Sequence, residues 1–209
     1  MCAAPRFTEP TYNRRPYGCH RYDVFSPKLQ RRVTLFGKQS LGLWTTLEAS
    51  SQVLSYCERP QLVPDAKPIR AFDFWVKRKD GEEFLLLLRP GEKANATGVA
   101  LLADSVVLGA LVRCVDPDDL AEHAIALNNW GVIIRDLGAF ERFIPLQLSQ
   151  AIKSNLGAGK SIMQLQKEHG DSDSSLVKLA IYSLLHKGLA RSPQLGTEVL
   201  GPAHLIEPA

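Results

Sequence analysis

One short segment, residues 69–90, brings together side chains that could handle a metal ion and a phosphate. An aromatic and β-branched run from Ile69 to Lys77 contains Asp73, and a second apolar run from Glu83 to Arg89 follows the turn sequence Lys79-Asp80-Gly81. Two such runs around an Asp-Gly turn predict a β-hairpin. A carboxylate on one strand and an acid-x-lysine on the next is an arrangement that can hold Mg²⁺ and activate a water molecule.

The length of the turn decides which residue of the second strand faces Asp73. A three-residue loop, which the sequence favours, pairs Arg78 with Glu82 and places Leu87 opposite Asp73, whereas a two-residue Asp-Gly turn would place Leu88 there. Because side chains alternate along a strand, Leu87 and Arg89 are then expected on the sheet face of Asp73. Leucine cannot bind Mg²⁺, and arginine stays protonated and cannot transfer a proton. The alternative is that Asp73 is an ordinary polar residue on a half-exposed strand.

The elements around this hairpin predict an α+β protein. Residues 40–56 suit a helix that carries Glu48, and residues 105–115 suit a strand preceded by a short helix at 98–103. Asp116 and Pro117 are a strong helix start. Five residues at alternating intervals of four and three predict one buried stripe along that helix: Leu120, Ala124, Leu127, Gly131 and Ile134. Three short helices at 146–156, 161–167 and 174–187, followed by Gly188 and an extended tail, suit a winged helix.

Positive charge is concentrated in residues 1–38, which hold eight lysine or arginine residues and two acidic residues. This segment lacks a sustained apolar period, so we expect an extended arm with little core of its own that becomes ordered on a partner. Six of its basic residues are candidates for contact with DNA phosphates: Arg14, Arg15, Arg21, Lys28, Arg31 and Arg32. The alternative is that these residues belong to a flexible tail.

Two further segments of the sequence contain candidate binding motifs. Residues 155–161 look like a phosphate-binding loop, but Ser154 stands where the motif requires glycine, so nucleotide binding is not predicted. The helix at 174–187 could read DNA through Lys178, Tyr182, His186 and Lys187, or its leucines could make it a core helix. Docking of a protein is favoured over direct DNA contact for this part of the chain.

The ordered run of these motifs resembles the TnsA family, the endonuclease subunit of heteromeric bacterial transposases. The resemblance covers about residues 26–192. It is carried by the following segments: Leu47-Glu48, Glu58-Arg59-Pro60, Lys67-Pro68, Phe72-Asp73-Phe74-Trp75-Val76, Lys79-Asp80-Gly81, Leu87-Leu88-Arg89-Pro90, Asn128-Asn129-Trp130 and Leu179 to Leu189.

The resemblance implies a PD-(D/E)xK restriction-endonuclease-like core, in which helices flank a mixed β-sheet, and a C-terminal winged-helix-like domain. The implied divisions are a basic arm at 1–38, the endonuclease-fold domain at 39–143 and the C-terminal domain at 144–209. Glu48 and Asp73 match the two acidic metal ligands of the family and its catalytic positions. Leu87 stands in place of its glutamine or glutamate, and Arg89 in place of its lysine, which makes the active site degenerate.

The function implied is DNA transposition and recombination. TnsA-like subunits use Mg²⁺ to cut the 5′ ends of a transposon, with a DDE-type transposase and a regulatory AAA+ ATPase as partners. We expect this chain to bind transposon-end DNA, the partner proteins, or both, with lost or impaired cleavage, and to need Mg²⁺ only if catalysis is retained.

One alternative is an active nuclease that uses Glu82 or Glu83 as a relocated third ligand. Another is a non-catalytic adaptor on the same scaffold. No apolar run approaches the roughly 20 residues of a membrane helix. We therefore expect a cytoplasmic, nucleoid-associated protein without a membrane partner.

Overall fold

The computed structural model describes residues 5–64, 66–89, 92 and 105–209, so the helix predicted at 98–103 lies outside the described residues. The chain forms two compact units. The first comprises Met1–Val24, Lys28–Leu47 and Gln52–Glu122, and the second comprises Phe25–Pro27, Glu48–Ser51 and His123–Ala209. Within the described ranges, no helix combines the length and apolar character that crossing a membrane requires.

The first unit is built on a mixed β-sheet. Its elements are β1 (Arg21–Ser26), β2 (Arg31–Phe36), α1 (Lys38–Ala49), β3 (Val53–Glu58), β4 (Phe74–Arg78), β5 (Glu82–Leu87), β6 (Val106–Val107), β7 (Ala110–Val115) and α2 (Pro117–Glu122). The five-stranded sheet has the order β3-β4-β5-β7-β6, and β1 pairs with β2 separately. Strands β5 and β7 run parallel, and the other neighbours in the large sheet are antiparallel. The predicted hairpin is therefore the centre of the sheet.

An aromatic cluster fills one side of this sheet. Phe72 stacks on Phe84 with ring centroids 4.7 Å apart, and Phe7 meets the edges of Trp75 and Phe84 at 5.5 and 5.8 Å. Trp75, Phe84 and Phe72 have no exposed surface. Aromatic side chains bury large apolar areas, so this cluster is a main source of stability for the hairpin.

The N-terminal segment differs from the extended arm that its composition suggested. Residues 21–36 form the hairpin of β1 and β2, and Val33 and Leu35 are fully buried. The segment that precedes this hairpin is held by the guanidinium of Arg59, which donates to Tyr12 O (2.8 Å) and Asn13 Oδ1 (3.0 Å). The same guanidinium donates to Thr34 O of β2 at 2.6 Å. Long-range contacts with Arg59 and the aromatic cluster supply the order that the local sequence did not reveal.

The predicted helix at 40–56 is too long at its C-terminal end. Helix α1 ends at Ala49, and β3 begins at Val53. Tyr56 pairs with Val76 of β4, and its hydroxyl accepts a hydrogen bond from Trp44 Nε1 at 2.7 Å. Pairing with β4 and burial against the sheet overrode the helical pattern of this segment.

The second unit is mostly helical. Its elements are α3 (Ala124–Phe140), α4 (Leu146–Ser154), β8 (Lys160–Ser161), α5 (Ile162–Glu168), α6 (Ser174–His186), β9 (Ala190–Arg191) and β10 (Leu205–Pro208). The three short strands pair in the order β8-β10-β9. Ser161 starts α5 with a reciprocal capping box to Gln164, and Asp173 caps α6. Gly188, with φ of 65°, follows the end of α6 as predicted.

The helix predicted after Asp116 is divided, and of the five residues in its predicted buried stripe, all of them described by the structure, Ile134 alone is buried. Helix α2 ends at Glu122 and has no buried residue among those described, and α3 begins at Ala124. The buried residues of α3 are Asn129, Ile133, Ile134 and Leu137. Ile133 and Leu137 belong to the core that includes α4, α5 and α6, so α3 is part of the second unit, whereas the sequence interpretation placed it in the endonuclease-fold domain.

Asn129 attaches the C-terminal segment to α3. Its Nδ2 donates to Leu195 O (2.9 Å) and Glu198 O (2.6 Å), and its Oδ1 accepts from Leu200 N at 2.8 Å. The side chain is 3% exposed. Three satisfied hydrogen bonds at a buried amide explain why a polar residue lies on the core side of this helix.

Candidate functional site

Asp73 lies immediately before β4, where the backbone departs from a regular strand. Phe74 pairs with Leu85, and the Asp73 N–H also donates to Leu85 O at 2.9 Å. Two successive residues therefore face one residue of β5, which is the pattern of a β-bulge. Phe72 and Trp75 consequently join the same core cluster, although alternation in a regular strand would place them on opposite faces.

The predicted register of the hairpin was wrong. Lys77 pairs with Glu82, and Arg78 N donates to Gly81 O at 2.8 Å, so Arg78 does not pair with Glu82 and neither proposed turn is formed. Asp73 and Leu87 nevertheless meet, because the Leu87 N–H donates to Asp73 Oδ2 at 2.8 Å. The bulge brings the carboxylate to the backbone of Leu87 by a route that strand alternation alone could not predict.

The Asp73 carboxyl is partly buried, with 24% of its side chain exposed. Burial raises its pKa from 3.8 to about 6, because removal from water disfavours the charged form. The Leu87 N–H and the positive charges of Arg70, Arg89 and Arg59 oppose this shift. Asp73 can therefore change its protonation state close to neutral pH.

Arg70 and Glu92 complete the surroundings of Asp73, and the sequence interpretation included neither. Arg70 Nη2 lies 3.7 Å from Asp73 Oδ2 and donates to Leu87 O at 2.6 Å. Arg70 Nη1 donates to Glu92 Oε2 at 3.0 Å, and the Arg89 N–H donates to the same oxygen at 2.9 Å. Arg70 thus contacts Asp73 and Leu87, which lie at the two ends of the hairpin, and also Glu92, which follows the hairpin.

The two acids proposed as relocated ligands have other partners. Glu82 accepts a hydrogen bond from Trp75 Nε1 at 3.1 Å, and Glu83 forms an ion pair with Arg78 at 2.6 Å. Arg89 is exposed, and Leu87 is 7% exposed. Glu92, by contrast, contacts the guanidinium of Arg70, which lies beside Asp73.

Glu48 lies near the end of α1 and belongs to the second unit. Its side chain has no exposed surface. The Ser26 hydroxyl donates to Oε1, and His186 Nε2 lies 2.9 Å from Oε2. His186 is 138 positions away along the chain, so spacing could not reveal this contact. Both carboxyl oxygens of Glu48 therefore have a protein partner.

The residues present do not fit the Mg²⁺ site that the resemblance implies. Asp73 faces a guanidinium, position 87 offers a leucine side chain, and the Glu48 oxygens are enclosed by Ser26 and His186. Among the residues that the structure describes, no group of three or more His, Cys, Asp or Glu side chains could hold a metal ion. Oxygen ligands around Mg²⁺ must be open to the ion and several water molecules, and these carboxylates are not.

The candidate DNA contacts in the N-terminal segment fall into two groups. Arg14, Arg15, Arg21 and Arg32 are exposed, although Arg15 donates to Cys19 O at 2.7 Å and Arg21 pairs with Asp23. Arg31 is engaged with buried Glu58 through two hydrogen bonds of 2.9 and 2.5 Å, and this pairing raises its pKa. Lys28 Nζ donates to Leu47 O at 2.9 Å. The first group remains at the surface, and the second supports the fold.

Helix α6 does not have the open face of a recognition helix. Tyr182 is 4% exposed and His186 is 6% exposed. Lys178 lies 5.9 Å from the centroid of the Tyr182 ring, and Lys187, just beyond the helix, pairs with Glu141 at 2.9 Å. Of the four candidate contacts, only the two lysines reach the surface, so α6 is the core helix that its leucines suggested.

No protein-family model matches the chain, and no curated protein sequence matches it.

Proposed function

We propose that this chain is a TnsA-like subunit of DNA transposition that binds DNA and partner proteins but has lost or impaired strand cleavage. The observation that carries the proposal is the contact between the Asp73 carboxylate and the Leu87 backbone at 2.8 Å. The carboxylate and the position of the missing ligand are neighbours, as the resemblance requires, but the side chain at that position is apolar.

The architecture of the first unit supports this proposal. Helix α1 is followed by three antiparallel strands, β3 to β5, with Asp73 immediately before the middle one, and β7 then adds in parallel to β5. An α+β arrangement around a mixed sheet is consistent with a PD-(D/E)xK-like core.

Contact with DNA is assigned to the exposed arginines of the N-terminal segment. Arg14, Arg15 and Arg32 are exposed in one short stretch of chain. Arginine binds phosphate oxygens through charge-assisted hydrogen bonds, and such contacts position a protein without reading sequence. The transposon-end DNA of the proposal would be held there by its backbone.

The second unit is assigned to partner proteins, with a winged-helix-like arrangement of α4, α5, α6 and the short sheet. Its helix α6 offers few free cations for DNA, since Lys187, just beyond its end, pairs with Glu141 and His186 is buried. A DDE-type transposase and an AAA+ ATPase are the partners proposed. Genes for both next to the gene of this chain would support the assignment, and their absence would favour a non-catalytic adaptor outside transposition.

Cleavage is tested with supercoiled plasmid in the presence of Mg²⁺ or Mn²⁺. The proposal expects the wild type to nick DNA no faster than Asp73→Ala. Metal-dependent nicking that Asp73→Ala abolishes would establish the active nuclease instead and overturn the loss of cleavage.

DNA binding is tested by the salt dependence of affinity. Replacing Arg14, Arg15 and Arg32 with glutamine should lower affinity and reduce the slope of log K against log salt by up to about 0.9 for each lost phosphate contact. Arg135→Gln is the matched control, because its side chain is 72% exposed but lies in the second unit. An unchanged slope in the triple variant would contradict DNA contact by this segment. Deletion of residues 1–38 would be a poorer test, since it removes the buried Val33 and Leu35.

A further inference from the structure

Three oxygen atoms from three residues surround the guanidinium of Arg70. Nη2 lies 2.6 Å from Leu87 O and 3.7 Å from Asp73 Oδ2, and Nη1 lies 3.0 Å from Glu92 Oε2. Arg70 is 8% exposed, so its charge is largely removed from water and depends on these partners. The cluster combines two carboxylates and one backbone carbonyl.

These are the oxygen types that hard divalent cations take as ligands. A guanidinium satisfies such oxygens in another way, because its planar fork directs several N–H donors at separate acceptors and never loses its charge. A divalent ion placed against Asp73 Oδ2 would meet the positive charge of Arg70 at close range. The arginine therefore disfavours the binding of a divalent ion at this carboxylate.

We propose that Arg70 is the built-in cation of this oxygen cluster, and that removal of its charge converts the cluster into a site for one divalent cation. Asp73, Glu92 and the Leu87 carbonyl would supply the protein ligands, and water would complete the coordination. The wild-type chain then keeps the start and the end of its hairpin joined without any metal.

One consequence rests on the proposed function. If the hairpin is a degenerate nuclease site, restoring the ligand and the lysine through Leu87→Glu and Arg89→Lys does not restore metal binding while Arg70 remains. Adding Arg70→Met to these two substitutions does restore it. The identity of Arg70, in addition to that of Leu87, decides whether this site takes a metal.

The test uses Mn²⁺ as the probe and the full chain without DNA, so that its outcome is independent of DNA binding or cleavage. Mn²⁺ binding is followed by electron paramagnetic resonance and by the shift of the midpoint of thermal unfolding. Arg70→Met should bind one Mn²⁺ and unfold at a higher temperature in its presence, since a ligand of the native state stabilises it. Wild type should show neither effect.

Arg78→Met is the matched control, because Arg78 also pairs with a glutamate of the hairpin, at 2.6 Å from Glu83. It should gain no Mn²⁺ site. Adding Asp73→Asn to Arg70→Met should abolish the new site. Arg70→Gln, which removes the charge but keeps a polar side chain, is the second variant if Arg70→Met folds poorly. Refolding of either variant on addition of Mn²⁺ also supports the proposal.

Two results would overturn it. The first is saturable binding of Mn²⁺ by the wild type, which needs no variant to be measured. The second is the absence of any Mn²⁺ effect in both Arg70 variants. Nicking of plasmid by the wild type would overturn the proposed loss of cleavage. The proposal about Arg70 is decided by Mn²⁺ binding alone.

Discussion

Asp73 and Glu48, the two acids expected to share one metal ion, have unlike surroundings. Asp73 is partly exposed, accepts one backbone hydrogen bond, and has a guanidinium 3.7 Å away. Glu48 is fully buried and is held by a serine hydroxyl and an imidazole. The resemblance assigns both residues one role, but their environments give them different chemistry.

The difference shows that a match of residue type does not fix the state of a carboxyl group. The raised pKa of Asp73 shows that its hydrogen bond and nearby arginines do not fully offset the effect of burial. Glu48 instead has a hydrogen-bond partner on each oxygen, and such partners are what make a buried carboxyl tolerable. We therefore expect Asp73 to be a titrating group of the hairpin and Glu48 to be a structural group of the second unit.

The largest effect is expected from His186→Ala. Removing the imidazole leaves Glu48 Oε2 without this partner, which costs about 1 to 3 kcal/mol in the free energy of unfolding. The cavity left by the buried ring adds about 2 kcal/mol or more. Urea denaturation followed by circular dichroism measures this loss.

A double variant separates the polar contact from simple packing. If His186 acts through Glu48, the double variant His186→Ala with Glu48→Gln should lose clearly less free energy of unfolding than the sum of the losses in the two single variants. Strict additivity of the two effects would mean that His186 stabilises the second unit only by filling space.

A smaller effect, with a characteristic pH dependence, is expected from Asp73→Asn. The folded pKa of Asp73 is raised, from 3.8 to about 6, so the folded state holds its proton more tightly than the unfolded chain does. Ionisation of Asp73 therefore does not change the free energy of unfolding below about pH 4. It lowers this free energy progressively as the pH rises to about 6, and the loss is complete above that. Asparagine keeps an acceptor for the Leu87 N–H but removes the charge.

We expect Asp73→Asn to match the wild type near pH 4 and to exceed its free energy of unfolding by about 1 to 3 kcal/mol at pH 8, since each unit of pKa shift corresponds to about 1.4 kcal/mol. Parallel denaturation curves between pH 4 and 8 measure the difference. A constant difference across this range, or a less stable variant at pH 8, would contradict a raised pKa.

Local chemistry allowed the hairpin to be predicted from the sequence, but its register could not be. The apolar runs and Lys79-Asp80-Gly81 indicate two strands and a turn wherever the segment lies. The bulge at Asp73 arises because Phe72 and Trp75 both pack into one aromatic cluster, and that cluster includes Phe7 from a distant part of the chain. Nothing near the turn encodes this requirement.

Long-range contacts explain the other differences. Arg59, just after β3, orders residues 12–13 through two hydrogen bonds, and a third joins it to Thr34 O. No local pattern contains these contacts. The helices after Pro145 were predicted well because their caps, Ser161 and Asp173, act within one turn. Glu48 was found through its resemblance to a family motif, but its partners Ser26 and His186 become visible only when the fold is known.

The smallest effect is expected from Ser26→Ala, which tests whether the hydroxyl on Glu48 matters in the buried cluster. Removing a donor from a buried acceptor costs about 1 to 3 kcal/mol in the free energy of unfolding. His186 still contacts the other oxygen of Glu48, so we expect a loss in the lower half of this range. Ser183→Ala is the matched control, because Ser183 is also buried and donates to a glutamate, Glu141, at 3.2 Å, but that glutamate is 22% exposed and pairs with Lys187. Water can replace the lost donor at Glu141 and cannot reach Glu48. A cost for Ser26→Ala no larger than that for Ser183→Ala would show that Glu48 does not depend on Ser26, and the contrast with Asp73 would then rest on His186 alone.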